Sequence, residues 1–502
     1  MLMYSTPALA ALALGLVLWV FVRRALSPDR DIPGPFLARF TRFWYIRQMT
    51  RGDFQYTNIR LHREHGKIVR IAPGWYSLNG LDALKTIYAH GSKFIKSDWY
   101  EAWNFSPDPE GHNLFSVRNM ADHSSARRKV AAMYAMSSVV SYEPYVNNCI
   151  RRLRAKLDSI AKDGSTLDLG HWLQCFAFDT ISEITYGERF GFLDKGKDIN
   201  NLISNLDSSF TFSSIVGLLL WLRPLALFLG SFFAKSDALY VARFNAQKFL
   251  ELSQEFLKDP SPEGLKPMVQ RLLHARQEDV KGLTDRDIQT SAAANIGAGS
   301  DTTGIGLSSV IFYSFRFPEK LQKLRQEIQD AGLGSEPSFQ DTQKLPYLQA
   351  VIKESMRLHP GVGFPLFRIV PKGGAIICGR FFPEGTNVGI NSWVIHRDES
   401  IWGSDADDFV PERWLTDDSE KLRMMEQCLI PFGVGSRTCI GKNISLYEIN
   451  KLIPQLVRDY DIDIQQKGGT DMRSKNMWFV KPVQLEIKIR QRSAGSDASS
   501  AW

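Results

Sequence analysis

The chain has 502 residues, of which 44% are hydrophobic and 23% are charged, and this ordinary globular composition excludes a disordered or low-complexity scaffold. The net charge of +7 is scattered over polar faces without a basic stripe, so the sequence does not indicate a nucleic-acid-binding protein. The five cysteines are widely spaced and form no Cys-x-x-Cys pair, which excludes a disulfide framework and a structural zinc site.

The first segment, residues 1–24, is predicted to be a membrane anchor. Residues 8–22 are continuously apolar apart from Gly15, and Arg23 and Arg24 follow at once. With its uncharged lead-in this stretch is just long enough to span a bilayer. A cleaved signal peptide would carry its positive charges before the apolar run. We therefore expect an uncleaved anchor, with the chain from Arg23 onward in the cytosol.

Residues 25–36 are predicted to form a proline-rich hinge, because Asp31-Ile-Pro-Gly-Pro35 cannot continue a helix. No Gly/Ser linker, charged spacer or solenoid repeat interrupts residues 37–490, so we expect them to form one large domain. The last segment, residues 491–502, is rich in Ser, Ala and Gly and is predicted to be a disordered tail.

Helical periodicity dominates the body of the chain. It predicts helices over 140–162, 172–188, 238–258, 285–317, 318–331, 345–358 and 440–458. Strand-like segments are fewer and shorter, at 68–71, 75–78, 375–378, 381–382, 479–480 and 485–489. The sequence therefore predicts a mainly α body with small sheets at its edges.

Two helical segments carry unusual polar patterns. His123 and Arg127 are four residues apart and so lie on one helical face. The helix predicted over 285–317 contains Ala298-Gly-Ser-Asp-Thr-Thr303 within a cluster of glycines, each of which weakens a helix by up to about 1 kcal/mol relative to alanine. We expect a local distortion there that opens room for a ligand and a water molecule.

A third motif is Glu354-x-x-Arg357, whose two side chains lie one turn apart and are able to pair. Alone, such a pair is usually an exposed ion pair of little energetic value. It stands upstream of the segment Pro411-Glu-Arg-Trp414 and of a cysteine loop, so its context decides its meaning.

The strongest signal is Pro431-Phe-Gly-Val-Gly-Ser-Arg-Thr-Cys-Ile-Gly441, which precedes an apolar-periodic helix. Gly433 and Gly435 permit a tight turn, and the helix N-terminus favours the thiolate form of Cys439. A cysteine beside Arg437 is also compatible with a nucleophile, but the spacing Phe-x-x-Gly-x-Arg-x-Cys-x-Gly is far more restrictive. It resembles the cytochrome P-450 family of haem-thiolate monooxygenases.

The resemblance runs from the hinge to about Arg490, with the motifs in family order. It implies the cytochrome P-450 fold, a large helical domain with small β-sheets, joined to the N-terminal transmembrane helix. It also implies haem b as cofactor, with Cys439 as the axial iron ligand. Phe432 and Gly433 would lie beside the sulfur, and Arg437 would bind a haem propionate.

Further residue roles follow from the same resemblance. Glu354, Arg357 and Arg413 would form a buried structural triad around the haem. Asp301 and Thr302 would be an acid–alcohol pair, in which the alcohol holds a water molecule and the acid helps to relay protons.

His123, Arg127 and Arg368 would bind the haem propionates. The family often has tryptophan at the position of His123, so this chain departs from the pattern there. His396 resembles a landmark of the fold with a structural role.

Substrate contacts in this family come from variable segments that here are mostly apolar or aromatic, which favours a lipophilic and bulky substrate. The candidates are Trp103, Phe105, Asn295, Ala298, Val362, Phe364, Met477 and Trp478. The apolar stretch Leu218–Phe233 is broken by Pro224 and Gly230. We expect it to dip into the membrane rather than to span it.

The implied reaction inserts one oxygen atom of O2 into a lipophilic small molecule. Phe178–Gly187 and Ala298–Thr303 resemble fungal enzymes of specialised metabolism, the pisatin-demethylase-like group among them. The sequence contains no flavin or nicotinamide site, so electrons from NADPH would come through NADPH–cytochrome P-450 reductase, with cytochrome b5 as a further candidate partner. Arg128, Lys129 and Lys442 are candidates for docking it.

The implied location is the endoplasmic reticulum membrane, with a single pass and a cytosolic catalytic domain. Three alternatives remain open at this point. An oxygen-independent isomerase or dehydratase on the same scaffold would typically lack the acid–alcohol pair. A haem protein that binds a ligand or senses redox state would not turn over. A structural membrane protein would contain no haem.

Overall fold

A computed structural model of the chain describes residues 29–104, 113–225, 240–260 and 264–492, with Phe228 and a few positions between 11 and 27. Most of the predicted anchor and tail, and the substrate candidate Phe105, lie outside the described residues. The α-helices, numbered in chain order, are α1 (Phe43–Arg51), α2 (Phe54–His65), α3 (Leu81–Tyr88), α4 (Met120–Val130), α5 (Met136–Val140), α6 (Glu143–Asp163), α7 (Leu169–Tyr186), α8 (Phe192–Lys195), α9 (Leu202–Val216), α10 (Tyr240–Lys258), α11 (Met268–Gln277), α12 (Asp285–Arg316), α13 (Pro318–Asp330), α14 (Phe339–Gln343), α15 (Pro346–Leu358), α16 (Ser392–Ile395), α17 (Glu399–Trp402), α18 (Ser419–Cys428) and α19 (Lys442–Asp459).

The strands are short. They are β1 (Ile68–Ala72), β2 (Trp75–Leu78), β3 (Ile95–Lys96), β4 (Thr166–Asp168), β5 (Arg368–Ile369), β6 (Ala375–Ile377), β7 (Arg380–Phe382), β8 (Asn387–Ile390), β9 (Tyr460–Ile464), β10 (Ser474–Asn476), β11 (Val480–Pro482) and β12 (Glu486–Gln491). Short 3-10 helices occur at Phe36–Arg39, Asp98–Trp103, Ala131–Tyr134, Ile199–Asn201, Gly217–Leu222, Val280–Gly282, Pro411–Leu415 and Gly435–Arg437. The mainly helical architecture expected from the periodicity is thus confirmed.

The central element is α12, which packs against α7, α15 and α19. It begins with a capping box between Thr284 and Asp287 and ends one residue before Phe317-Pro318, where proline disfavours further helix. The helix is continuous over its 32 residues, so the expected local distortion is wrong. Gly299, Gly304 and Gly306 serve close packing, whereas a Cβ on Gly297 would meet nothing within 4 Å. A Cβ on Gly304 would lie 3.1 Å from the Cα of Gln174 on α7.

The largest sheet has the strand order β1-β2-β8-β5-β3. Only the β2–β8 pair within it is parallel, and the other neighbours are antiparallel. At its far edge β3 pairs with β5, and the register places Lys96 opposite Arg368. Like charges directly opposite each other destabilise a sheet, so this pair needs an explanation outside the sheet.

Two further sheets and a hairpin complete the edges of the domain. β4, β12 and β9 form a three-stranded antiparallel sheet, and β6 pairs with β7. The hairpin β10–β11 carries Met477–Phe479 at its tip. An isolated bridge between Val362 and Phe479 joins that tip to the segment after α15.

Among the described residues, one stretch, Ile199–Leu225, is long and apolar enough to cross a membrane by length and composition. Its most apolar window is 33% buried, and the backbone of Leu219 leaves helical geometry with φ −132° and ψ 47°. Ser214 within it accepts a hydrogen bond from the Trp99 indole. The stretch therefore packs partly against the body of the protein.

Candidate functional site

The cysteine loop has a defined geometry. Gly433 and Gly435 have φ values of +69° and +70°, in the left-handed region that favours glycine. A Cβ on Gly435 would lie 1.9 Å from the carbonyl oxygen of Tyr88, so no other residue fits there. The Cys439 N–H donates to the carbonyl of Phe432 at 2.9 Å, which closes the loop just before α19 begins.

Cys439 lines an interior surface of the protein, and this position affects the pKa of its thiol. The side chain is exposed by surface area, yet it is surrounded by enough protein that burial raises the pKa of its thiol. Hydrogen bonds from the backbone of Gly441 and the charge of Arg127 oppose this effect without overcoming it. The protein surroundings alone therefore do not lower the pKa of this thiol. A coordinated metal ion deprotonates a thiol outright, so thiolate here calls for a bound metal.

A stripe of small side chains on α12 lies opposite to the buried faces of that helix. Ala294 and Ala298 are exposed and Thr302 is half-buried, at a spacing of four residues that places them on one face. Tyr134 ties this part of α12 to the start of α19. Its hydroxyl donates to Asn295 at 2.7 Å, and its carbonyl accepts from Asn443 at 2.9 Å.

Four cationic side chains gather beside the cysteine loop: Lys96, Arg127, Arg368 and Arg437. Arg127 donates to the carbonyl of Thr438 at 2.8 Å, and Arg437 donates to the carbonyl of Val117 at 2.8 Å. Lys96 is 6% exposed, and its ammonium donates only to the carbonyl of Phe115, at 2.5 Å, within the described residues.

The electrostatics of this cluster are one-sided. Burial lowers the pKa of His123 to about 3, and the charges of Arg437, Lys96, Arg127 and Arg368 add to that effect. Burial also lowers the pKa of Lys96, followed by repulsion from Arg368 and Arg437. In the part of the chain that the structure describes, none of the four cations forms an ion pair with a carboxylate.

Uncompensated charges in a protein interior are costly, so this cluster is suited to an anionic ligand. A sulfur donor on one wall, a strip of small side chains on α12 and a group of cations at the rim together fit haem, whose two propionates are the anions.

Lys96 had not been singled out from the sequence. The only signal was a lysine within a short apolar-flanked segment, Phe94–Lys96.

Glu354, Arg357 and Arg413 lie in one buried network. The Arg357 guanidinium donates to both oxygens of Glu354 at 2.9 and 2.8 Å, and Arg413 Nε donates to the same carboxylate at 2.9 Å. The Trp414 indole and the Val410 N–H donate to it at 2.9 and 3.0 Å. Glu354 and Arg357 are both 0% exposed, so this is a fully desolvated network rather than a surface pair.

His396 ties this network to the cysteine loop. Its Nε2 accepts from the Ile430 N–H at 2.8 Å, and Nδ1 lies 3.0 Å from the carbonyl of Arg357. Burial lowers the pKa of His396 to about 3, so the ring is neutral and Nδ1 carries the donated proton. These contacts are those of a structural residue.

Asp301 and Thr302 point in different directions. The Thr302 hydroxyl donates to the carbonyl of Ala298 at 2.8 Å on the exposed stripe. Asp301 is 1% exposed, and its carboxylate accepts from Gln174 at 2.5 Å and pairs with the Lys481 ammonium at 2.9 Å. Lys481 also pairs with Asp207 of α9. Neither Gln174 nor Lys481 was predicted, because single polar residues in a helix and a strand give no motif.

The substrate candidates separate into two groups. Trp103, Phe364 and Trp478 are buried in one aromatic cluster, with Val362 packed against it, and the half-buried Met477 lies at the same hairpin tip. Ala298 lies on the exposed stripe of α12.

Asn295 lies in the core beside the stripe of α12. Its amide donates to Thr185 at 3.1 Å and its carbonyl accepts from Tyr134, so its polar atoms are engaged with neighbouring helices. It follows Ala294 of the stripe in sequence. Because consecutive residues of a helix point in different directions, its side chain points into the core.

Comparisons with known proteins agree with this geometry. A model of the cytochrome P-450 family matches residues 33–489. The chain is 39% identical to a pisatin demethylase of Fusarium vanettenii, over 96% of this chain and 93% of that protein. It is 36% identical to a cytochrome P-450 monooxygenase of Aspergillus terreus, over 86% and 90%, and 34% identical to the monooxygenase cicH of Emericella nidulans, over 94% and 95%. The chain therefore belongs to the cytochrome P-450 family, and it is a cytochrome P-450 monooxygenase.

Proposed function

We propose that this monooxygenase inserts one oxygen atom of O2 into a lipophilic small molecule of fungal specialised metabolism, while the other atom leaves as water. The observation that carries the proposal is the pairing of the Cys439 loop with an α12 that keeps both Asp301 and Thr302. The fungal relatives, a pisatin demethylase among them, support the metabolic setting.

In this proposal Cys439 binds the haem iron through its sulfur. Arg127, Arg368 and Arg437, with Lys96 at the same rim, hold the propionates, and the neutral His123 is able to donate a hydrogen bond to them. Thiolate-ligated haem, when bound, supplies the chemistry that activates dioxygen for transfer of one atom. The protein's contribution is to hold the cofactor, orient the substrate and deliver protons.

Thr302 and Asp301 have different roles in proton delivery: Thr302 binds a water molecule, and Asp301 belongs to the network that supplies protons to it. The Thr302 hydroxyl donates its hydrogen bond to the Ala298 carbonyl. Its oxygen therefore remains free to accept a hydrogen bond from a water molecule on the stripe. Asp301 lies one residue away, where Lys481 and Gln174 hold its carboxylate. Protons would reach the water molecule from this polar network.

An apolar face of the described residues supports membrane association. Phe43, Trp221, Leu225 and Phe228 are 68%, 75%, 53% and 61% exposed. Phe43 lines a surface groove of about 290 Å³ together with Leu219, so the two segments are adjacent. Large exposed apolar patches mark membrane or protein contacts. We propose that this face rests in the endoplasmic reticulum membrane beside the anchor of residues 1–24, with the domain in the cytosol.

The electron donor in this proposal is NADPH–cytochrome P-450 reductase, with cytochrome b5 as a further partner. Arg128 and Lys442 are exposed beside the cysteine loop. Lys129 instead pairs with Asp287 of α12 at 2.8 Å, so it is a weaker candidate for docking than expected. The double variant Arg128→Glu and Lys442→Glu should slow reduction and flatten its salt dependence. Unchanged rates and salt dependence would remove these two residues from the docking surface.

The function is tested by incubating the reconstituted enzyme and reductase with NADPH, isotopically labelled O2 and extract of a host that lacks the gene. Wild-type protein should incorporate one labelled atom into a product, and Thr302→Ala should consume NADPH with less product. A rearranged or dehydrated product without label would favour an isomerase or dehydratase. Ligand binding without any product would favour a non-catalytic haem protein.

A further inference from the structure

Three tryptophans meet in one cluster: Trp99 and Trp103 from the 3-10 helix Asp98–Trp103, and Trp478 from the distant hairpin β10–β11. The ring centroids of Trp99, Trp103 and Trp478 lie 5.1 to 5.4 Å from one another. Phe115 lies 5.4 Å from Trp103 and Phe210 of α9 stacks on the same ring at 5.6 Å. Such ring pairs stabilise the fold by more than the apolar area they bury, and the size of this effect depends on the relative orientation of the rings.

This cluster adjoins the acid–alcohol pair. Ile305, one turn after Thr302 on α12, belongs to the same group of packed side chains. Lys481, three residues after Trp478 on the hairpin β10–β11, pairs with Asp301. The aromatic cluster therefore faces the part of α12 at which the reaction is proposed to occur.

Trp478 occupies a rare backbone conformation. Its φ is +118°, a region that bulky residues seldom adopt, although the residue is 2% exposed. Asn476 accepts from the Trp478 N–H at 3.2 Å, and the Gly363 N–H donates to the Trp478 carbonyl at 3.0 Å. Strain that the surroundings enforce in this way is typical of functional sites.

Within the part of the chain that the structure describes, the indole N–H of Trp103 has no hydrogen-bond partner. The residue is 3% exposed, and its Nε1 makes no hydrogen bond, whereas the neighbouring Trp99 donates to the carbonyl of Ser214 at 3.0 Å. A buried donor without an acceptor is costly, and buried indoles usually find one. The two tryptophans therefore differ in whether a donor remains available to a ligand.

We propose that this cluster receives a planar aromatic substrate that carries an oxygen acceptor, with the ring against Trp103 and Trp478 and the oxygen accepting from the Trp103 N–H. Trp103 and Trp478 are 3% and 2% exposed, so entry of the ligand ring requires the cluster to open, and the ring then replaces ring–ring contacts within the cluster by contacts with itself. The inference rests on the proposed function, because it names the substrate class of that same site.

The first test compares three probes of similar size on the purified holoprotein: 2-methoxynaphthalene, 2-ethylnaphthalene and 2-methoxydecalin. Binding is followed by the Soret band and by equilibrium dialysis. The methoxynaphthalene should bind about fivefold more tightly than the ethyl compound, which lacks the acceptor, and about fivefold more tightly than the saturated ether. Equal affinities for all three probes, or saturable binding of none, would overturn the inference.

The second test uses matched variants. Trp103→Phe keeps a ring but removes the free donor, so it should abolish the preference for methoxy over ethyl. Trp99→Phe removes a donor that is already bonded and should leave that preference intact. If Trp103→Phe does not fold, the probe comparison on the wild type still decides. A normal reduced carbon-monoxide spectrum with no aromatic preference would reject this inference alone, whereas loss of that spectrum in the wild type would reject the proposed function.

Discussion

Replacement of Glu354 by glutamine should destabilise the domain far more than its chemical similarity suggests. The carboxylate is 0% exposed and accepts from Arg357, Arg413, Trp414 and the Val410 N–H. Glutamine offers one acceptor oxygen instead of two and presents N–H donors to these donors. It also leaves the buried Arg357 guanidinium without a counter-charge, whereas Arg413 keeps its ion pair with Asp405 at 3.2 Å.

Breaking a buried charge pair costs about 3 to 5 kcal/mol. The entropy of unfolding is about 2.1 cal/mol/K per residue, so for roughly 460 residues this loss corresponds to a fall in Tm of about 3 to 5 °C. Glu426→Gln is the matched control, because Glu426 pairs with Lys353 at 3.0 Å with both side chains about half-exposed. Such exposed pairs contribute about 0 to 1 kcal/mol.

The assay is thermal unfolding of the purified holoprotein, followed by the haem absorbance and by far-ultraviolet circular dichroism. Glu354→Gln should unfold well below the wild type and release haem at the same temperature, while Glu426→Gln should stay within about 1 °C. Equal Tm values for the two variants would refute the argument that the Glu354 network is a desolvated structural core.

Lys481→Met should reduce product formed per NADPH by roughly tenfold, because Lys481 holds the carboxylate of the acid–alcohol pair, whereas Lys475→Met on the same hairpin should have no effect. Lowering the pH from about 6.5 towards 4 should destabilise the fold, because burial lowers the pKa of His396 to about 3 and the unfolded chain takes up the proton first. His396→Gln should lessen the pH dependence of the unfolding free energy by up to about 1.4 kcal/mol per pH unit, and an unchanged slope would contradict this. In a form lacking the anchor, Trp221→Ser should weaken liposome binding about tenfold, whereas the exposed Phe381→Ser should not, and equal effects would argue against the proposed membrane face.

Much of the helical framework follows from periodicity and punctuation in the sequence. The long helix α12 is an example, since Thr284 and Asp287 cap its start and Phe317-Pro318 ends it, close to the predicted bounds. The sheets were harder to predict. β3 and β5 have two residues each and β8 has four, too short for alternation to emerge.

The differences between expectation and structure share a physical cause, which is that the neighbour of a residue is not visible from its own segment. The glycines of α12 looked like a distortion, but Gly304 permits the approach of α7. Asn295 looked available, but Tyr134 and Thr185 engage it. Lys129 was a candidate for docking, and its ion pair with Asp287 is a contact that its own segment does not show.

The cysteine loop could be recognised from sequence because its geometry is local. Arg127 and Arg368 were expected near it only through the family resemblance, and the remaining members of the polar network were missed because they come from distant segments without a motif. Lys96 and Lys481 are isolated lysines whose importance rests on what faces them, namely Arg368 across a strand pair and Asp301 on a central helix.

The measurement that tests the central claim most directly is the carbon-monoxide spectrum of the reduced protein in the wild type, Cys439→His and Cys428→Ala. Cys428 is a buried thiol at the end of α18, before the loop begins, and serves as the control. Wild type and Cys428→Ala should give the red-shifted Soret band of thiolate-ligated haem, and Cys439→His should give the band of imidazole-ligated haem with haem still bound. A Cys439→His protein that keeps the wild-type band, or a wild type without the red-shifted band, would contradict the assignment of Cys439 as the iron ligand.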